Sequence, residues 1–249
     1  MGSRRGRVRR AFSVPLPRQL ISCSAYRVTP APVSLAGATI APERVVVVPN
    51  TVADIFTPGD SQELRAAWGI EGKRVLLTVG RIVSCERYKG HDQVIAAIPD
   101  LVRRGHNVVY LIIGEGDDRA RLEEIARKIG VAERVRFLVA VDQQRLVAAY
   151  RMADLFVMPS TGEGFGVVFV EAMASGTPAF GLDVGGARDA LAEGELGTAV
   201  SEESDLPGAI ARLLGQPKPD PNALSQAVRA RFGRTIFRAQ LNMAIEMSA

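Results

Sequence analysis

RVLLTVGRIVSCERYKGHDQVIAAIPDLVRRGHNVVYLIIG, residues 74–114, holds one complete strand–loop–helix–strand pattern. Its two ends, RVLLTVG (74–80) and VVYLIIG (108–114), are continuous apolar runs that each stop at a glycine. A strand wetted on one side would alternate polar and apolar residues, so these runs read as strands covered on both faces. Between them HDQVIAAIPDLVRRG (91–105) has helical spacing, with Pro99 expected to kink or break it. Buried apolar strands alternating with helices imply a parallel sheet covered on both faces.

The alternation continues downstream. DRARLEEIARKIG (118–130) reads as an amphipathic helix closed by Gly130, and VRFLVA (135–140) as a third strand. QQRLVAAYRMA (143–153) is a helix and LFVMPS (155–160) a fourth strand. VVFVEAMAS (167–175) is a helix ended by Gly176, PAFGL (178–182) and GTAV (197–200) are shorter strands, and helices cover 204–214 and 222–247. Upstream, ERVVVVPNTV (43–52) reads as a strand and a turn, FTPGD (56–60) as a linker, and Asp60 or Ser61 as the cap of a helix over SQELRAAWGI. RQLISCSAY (18–26) makes one strand within an otherwise poorly patterned first forty residues. The expected fold class is α/β, a doubly wound parallel sheet of Rossmann type.

Bulk properties exclude several functions. The 249 residues allow one large domain or two small ones. An aromatic content of 6% argues against a base-stacking platform, and the chain carries no nucleic-acid motif. The net charge of +4 comes from Arg4, Arg5, Arg7, Arg9 and Arg10; the rest of the chain sums to −1. That run reads as a solvated arm or as a contact for an acidic membrane surface. Cys23 and Cys85 have no metal-like spacing, which points to a reducing compartment and a cytoplasmic protein, peripheral to the membrane at most. Pro15, Pro17 and Arg18 interrupt what would be the apolar core of a signal peptide. No apolar run reaches the roughly 18–20 residues of a membrane span.

Open parallel sheets bind ligands outside the carboxyl ends of their strands. That rule selects the loops after Gly80, Gly114, Ala140, Ser160 and Leu182. In GRIVSCERYKG (80–90), Arg81 leaves the strand and Lys89 precedes Gly90 and a helix start. Two cations there suit a phosphate or pyrophosphate; the plainer alternative is a surface loop whose charges are solvated or paired with Glu86. In GEGDD (114–118), Gly116 permits a turn and Asp117 or Asp118 caps the next helix. Gly185 and Gly186 allow a close backbone approach or a tight turn. TGEGFG (161–166) leaves backbone N–H groups free at the start of a helix. There is no Gly-Lys-Ser of a P-loop and no dinucleotide fingerprint.

Glu163 and Glu171 stand eight residues apart, one in the glycine turn and one in the apolar run. Glycosidase carboxyls face one bond across roughly 5–9.5 Å. Eight helical residues rise about 12 Å, so two separate grips on an elongated ligand fit better. A carboxylate is a natural partner of a vicinal diol, and phosphate-binding groups between the two acids imply sugar–diphosphate–ribose–base. The plainer reading of Glu171 is a helix residue that faces outward or pairs locally. His91 reads as a helix-start surface residue or a neighbour of the phosphates, and His106 as solvent-facing. No cluster has metal spacing and there is no serine nucleophile elbow.

VGRIVSCERYKGHDQVI, LIIGEGDDRARLEEIARKIGV, YRMADLFVMPSTGEGFGVVFVEAMASGTPAFG and VGGARDAL together resemble the donor-binding domain of retaining glycosyltransferases of the GT-B fold, family 4 type. The resemblance runs from residue 43 to the end, and ERYKGHD is most similar to bacterial exopolysaccharide mannosyl- or glucosyl-transferases. It implies one half of a GT-B fold over 43–249 and, in 1–42, a basic tail with a remnant of an N-terminal acceptor domain. By the same resemblance Arg81 and Lys89 hold the diphosphate in place of a metal ion, and Glu163 binds the donor sugar. Phe165, Gly166 and Val167 offer backbone N–H groups, and Glu171 binds the ribose. The backbone at Val141 meets the base, while Gly80, Gly114 and Glu115 line the nucleotide pocket. Val139 and Ala140 stand where relatives continue with glycine, and the loop from Arg81 to Lys89 is longer than in many of them.

The implied activity is metal-independent, retaining transfer of a hexose, mannose or glucose, from GDP- or UDP-hexose to a glycan or polyprenol-linked acceptor. No cofactor is expected, and a separate chain is expected to supply the acceptor domain. The final helix normally crosses onto that domain, so its apolar face (Phe232, Ile236, Phe237, Leu241, Ile245) is expected to be partly exposed. The alternatives are a truncated module that binds nucleotide sugar without transfer, and an epimerase-like relative, against which the low histidine content argues.

Overall fold

The computed structural model describes residues 48–139, 141–201 and 206–246, and the backbone of four short strands before them. The arginine-rich tail and Ala140 lie outside the described residues. Of the early strands, β1 (Leu20–Ser22) runs parallel to β4 (Val45–Val47), and β2 (Val33–Leu35) pairs antiparallel with β3 (Ala38–Ile40).

The main sheet contains β5 (Arg74–Val79), β6 (Val108–Ile113), β7 (Val135–Leu138), β8 (Leu155–Met158), β9 (Ala179–Leu182) and β10 (Thr198–Val200). Their spatial order is β10-β9-β8-β5-β6-β7, and every pairing is parallel. Chain order reverses between β5 and β8, so the crevice beyond their carboxyl ends is the topological switch point of a Rossmann-like sheet. β5 pairs with β6 over all six of its residues but with β8 only at Leu76 and Leu77. Past that point the Thr78 hydroxyl donates to the Val157 carbonyl in place of a backbone ladder bond, and the strand ends part.

Side chains alternate between two apolar layers, as the pleat requires. Val75, Leu77, Val109, Leu111, Phe156 and Met158 face one layer. It is covered by α1 (Gln62–Ala67), α4 (Gln143–Met152), α5 (Val167–Ala174), α6 (Gly185–Ala190) and α8 (Pro221–Phe232). Leu76, Val108, Tyr110, Ile112, Leu155 and Val157 face the other, under α2 (His91–Arg103), α3 (Arg119–Lys128) and α7 (Leu206–Gly215). The apolar runs lack alternation because both faces are buried.

Several expectations need correction. Helix α2 runs through Pro99 unbroken. A proline inside a helix costs roughly 3 kcal/mol. Val94, Ile95, Ile98 and Leu101 are each fully buried on either side of it, and burying one such side chain contributes about 1.5–3 kcal/mol. The expected helix over 222–247 is two, α8 and α9 (Arg234–Glu246), parted at Gly233, whose φ −70 ψ 156 is extended. The Phe232 carbonyl turns out of the helix to accept from Val52 N (3.1 Å) and Thr51 Oγ1 (2.8 Å). The apolar face expected to be partly exposed is so: Phe232 is buried, Ile236, Phe237 and Leu241 are half-buried and Ile245 is exposed. Neither aspartate of GEGDD caps α3 with its side chain. Asp117 accepts from Ser84 N (2.8 Å) and Ser84 Oγ (2.7 Å), while Asp118 binds Arg121 (2.6 Å) and Arg87 (3.1 Å). Gly185 and Gly186 open α6 and are not a bare turn.

Candidate functional site

Three strand ends form the floor. Gly80 N donates to Ile113 O (3.0 Å), Ile82 N to Glu115 O (2.8 Å) and Gly114 N to Leu138 O (3.0 Å), so pairing continues past the strands. A Cβ on Gly114 would stand 1.9 Å from the Gly80 carbonyl oxygen, which reserves the position for glycine. Gly80, Gly114 and Glu115 therefore line neighbouring strand ends, with Glu115 exposed. Val141, just beyond β7, is half-buried against the core, while Val139 is exposed.

After β5 the chain makes a 3₁₀ turn, Ser84–Lys89, and enters α2 through Gly90 in the left-handed region (φ 75, ψ 23). Buried Glu86 pairs with both candidate phosphate ligands: with Arg81, and with Lys89 at 3.3 Å. The Arg81 side chain is 73% exposed and that of Lys89 13%. The pairing with Glu86, one of the two alternatives at this loop, is thus the one observed. It does not remove the cationic character, since two positive groups share one carboxylate.

The loop after β8 packs against this turn. Thr161 N donates to Tyr88 O at 2.9 Å, and a Cβ on Gly90 would meet Pro159 at 2.7 Å. The backbone of one loop thus holds the other, and the pair spans the switch-point crevice. Fully buried Ser160 donates through Oγ to Glu163 Oε1 (3.1 Å), fixing the side chain of the first candidate acid. Gly166 stands at the N-cap of α5 with φ 79 ψ 53 and no side-chain cap, so the first N–H groups of α5 stay available. Phe165 is buried, with its ring edge-on to Phe232 at 5.6 Å. The close approach foreseen for Gly186 is to this loop: Gly186 N donates to Glu163 O (3.0 Å), and a Cβ there would lie 2.1 Å from Gly164 O.

The second acid, Glu171, is half-buried on α5, neither outward-facing nor locally paired. Its Oε2 accepts from the Tyr150 hydroxyl at 2.8 Å. Burial raises the Glu171 pKa, and the tyrosine bond acts the other way. Tyr88 lies between the two loops; burial pushes its hydroxyl pKa up, and the negative charges of Glu86 and Glu163 add to that.

His91 is not a surface residue. It is 5% exposed, its Nδ1 lies 3.4 Å from the Tyr110 hydroxyl, and burial lowers its pKa. Among the described residues no group of three or more His, Cys, Asp or Glu side chains is placed to hold a metal ion. No helix is long and apolar enough to cross a membrane, again among the described residues.

Sequence reasoning weighed Glu86 only as a charge partner and passed over Tyr88, Tyr150 and Ser160. Glu86 had a usable signal, standing three residues before Lys89 and five after Arg81. Tyr150 had none, because it occupies a helix position that any core aromatic could fill.

Comparison with known proteins identifies the family and the fold. The family described as "Glycosyl transferases group 1" matches residues 60–231. A D-inositol 3-phosphate glycosyltransferase 2 of Catenulispora acidiphila is 38% identical over 209 residues, which cover 77% of this chain and 48% of the relative. The chain spans about half the length of the curated relatives it matches. Sucrose-phosphate synthase from Thermosynechococcus elongatus superposes with a TM-score of 0.70 at 26% identity, over 82% of this chain and 52% of that one. Anabaena HepE, solved with UDP and glucose, shares the fold with a TM-score of 0.75 at 22% identity, over 92% of this chain and 63% of that one. With the family match spanning more than half of its residues, the chain belongs to the group 1 glycosyl transferases.

Proposed function

We propose that this chain is the donor-binding half of a retaining, family 4 type hexosyltransferase that uses a nucleotide sugar, GDP- or UDP-hexose. The observation that carries the reading is the stitched pair of loops at the switch point. They place Arg81 and Lys89 on one side and Glu163 with the open N-terminus of α5 on the other. Arg81 and Lys89 take the diphosphate, and Phe165, Gly166 and Val167 offer backbone N–H groups to it and to the sugar. Glu163 holds the sugar hydroxyls and Glu171 the ribose diol, with Val141 beside the base. When the bond from the anomeric carbon to the phosphate oxygen breaks, negative charge grows on the leaving nucleoside diphosphate. Two fixed cations and a helix N-terminus stabilise that charge without a metal ion. Their contribution is largest in the transition state, where the charge is greatest.

The acceptor is a glycan or polyprenol-linked sugar of the kind used in exopolysaccharide assembly, at the cytoplasmic membrane face, and another chain or segment contributes its site. The names of the relatives favour a second reading of the acceptor, a polyol phosphate such as D-inositol 3-phosphate. Calorimetry with UDP-, GDP- and ADP-hexoses tests the donor site, with Glu171→Ala and Lys89→Ala as controls. One donor is expected to bind, and both substitutions to weaken it. If the folded protein bound none of the three, the donor reading would be wrong. Turnover by this chain alone would show that no further acceptor site is needed.

A further inference from the structure

We propose that Tyr150 is a positioning residue of the donor site: its hydroxyl holds one oxygen of Glu171 so that the other is presented to a ribose hydroxyl. The inference rests on the donor-site reading above. Tyr150 lies near the end of α4 and is fully buried. Its place does not depend on its hydroxyl. The ring meets Phe56 edge-on at 5.7 Å and Phe156 at 5.9 Å, and its carbonyl accepts from the Thr177 hydroxyl. A phenylalanine would satisfy all three contacts. What phenylalanine lacks is the O–H, and that O–H goes to a carboxylate on the next helix, at 2.8 Å from Glu171 Oε2. A buried tyrosine hydroxyl needs a partner, and a backbone carbonyl would have met the need at less electrostatic cost.

Among the described residues, Tyr150 is the hydrogen-bond partner of the Glu171 side chain, and it engages Oε2 alone. Oε1 keeps its acceptor capacity. The proton stays on the phenol, because burial and the Glu171 charge both raise the Tyr150 pKa. The bond is therefore O–H···O⁻, the stronger charge-assisted kind. Glutamate has three side-chain torsions to restrain, and here that freedom is lost on folding and not on ligand binding. The rigid aromatic cluster sets the direction of Oε1, and so the point at which a diol is accepted.

The test measures dissociation constants of UDP and 2′,3′-dideoxy-UDP, with GDP and its dideoxy counterpart in parallel, for wild type and Tyr150→Phe. Losing one charge-assisted hydrogen bond that orients the acceptor is expected to weaken the ribonucleotide about tenfold. The dideoxy nucleotide, which has no diol to present, should stay within about twofold, so ribose discrimination collapses. The acid limb of ribonucleotide binding should move to higher pH, because burial then acts on Glu171 without the opposing bond. A merely structural tyrosine would weaken both nucleotides equally and leave the pH limb in place; either result overturns the proposal. If wild type bound no nucleotide, the donor-site reading itself would fall. Should Tyr150→Phe fold poorly, Glu171→Ala/Tyr150→Phe is compared with Glu171→Ala, which removes the buried charge left without its donor. No further loss of discrimination is expected there, and a further loss overturns the proposal.

Discussion

Gly186→Ala should separate sugar recognition from nucleotide recognition. Gly186 does not need glycine for its backbone angles; its φ is not positive, and alanine is the better helix former by about 1 kcal/mol. The obstacle is space. The new Cβ would lie 2.1 Å from Gly164 O, 2.4 Å from Gly164 C and 2.5 Å from Phe165 Cα. All three are backbone atoms and cannot rotate away, so the loop must retreat by about 1 Å to restore contact distance. Overpacking costs about 1–3 kcal/mol, and three immovable backbone contacts put this case at about 2–3; the helix gain of about 1 leaves a net loss of about 1–2 kcal/mol. For a chain of this size that lowers Tm by roughly 2–8 °C. The retreat also stretches the bond from Gly186 N to Glu163 O and carries Glu163 with it. A misplacement of about 1 Å costs about 100-fold where geometry matters. Arg81, Lys89 and Glu171 lie outside the moved loop, whereas the Phe165 and Gly166 N–H groups move with it. The expected result is therefore graded: UDP or GDP, keeping both cations and Glu171, weakens by about tenfold at most, while the gain in affinity from the attached hexose disappears. Calorimetry with nucleotide and nucleotide sugar reads the difference, and melting reads the stability. Wild-type hexose preference together with an unchanged Tm would refute the reasoning.

Three further perturbations have definite expected outcomes. Lys89→Ala should weaken diphosphate binding about 10- to 100-fold and Arg81→Ala less, because Lys89 is the better buried of the two; titrations at low and high salt check both. Asp154→Asn removes the carboxylate that Arg65 (2.6 Å), Arg74 (3.2 Å), Lys218 (3.6 Å) and Val75 N (2.8 Å) share, and should cost about 2–3 kcal/mol once the exposure of the three cations is allowed for. Burial pushes the Asp154 pKa up, but Lys218, the Val75 N–H and Arg65 outweigh it and hold it below the ordinary value. A depressed folded value means that the contribution is present above the unfolded pKa and lost as pH falls through the folded one. Urea unfolding should accordingly show a large gap between wild type and Asp154→Asn at pH 7 and a smaller one near pH 3. Gly114→Ala drives a Cβ into the Gly80 carbonyl at 1.9 Å and should destabilise by about 3 kcal/mol, read as a lowered Tm with weaker nucleotide binding.

The sheet was legible because its signal is redundant. Six apolar runs alternating with helices leave little freedom in topology once strands are parallel and crossovers right-handed. The misreadings fall where a distant group intervened. The break between α8 and α9 depends on Thr51 and Val52, some 180 positions away, drawing off the Phe232 carbonyl. Pro99 was overruled by four buried neighbours whose combined burial no local propensity registers. Asp117 or Asp118 reads as the cap of the helix that follows; Asp118 stands at the N-cap of α3, but its carboxylate goes to Arg121 of that helix and to Arg87, and that of Asp117 to Ser84 of the preceding loop. Local rules name the right residues at these points and the wrong partners.

The two glutamates show the same limit at the site. Their spacing in sequence argues against joint attack on one bond, and the structure adds that they sit in different electrostatic settings. Glu163 is on a loop, fixed by a serine hydroxyl and by the main chain of α6. Glu171 is on a helix, sunk among aromatics and held by a tyrosine, with its pKa raised by burial. On the proposed reading Glu163 faces the sugar, whose charge and shape change as its bond to phosphate breaks. Glu171, clamped between two helices, faces a part of the ligand that is the same before and after transfer. The ribose is such a part. A variant at Glu171 should therefore act mainly on affinity, equally for the donor and for the released nucleoside diphosphate, and one at Glu163 mainly on the rate of transfer. That split follows from which part of the ligand each acid meets, and the eight-residue spacing alone could not supply it.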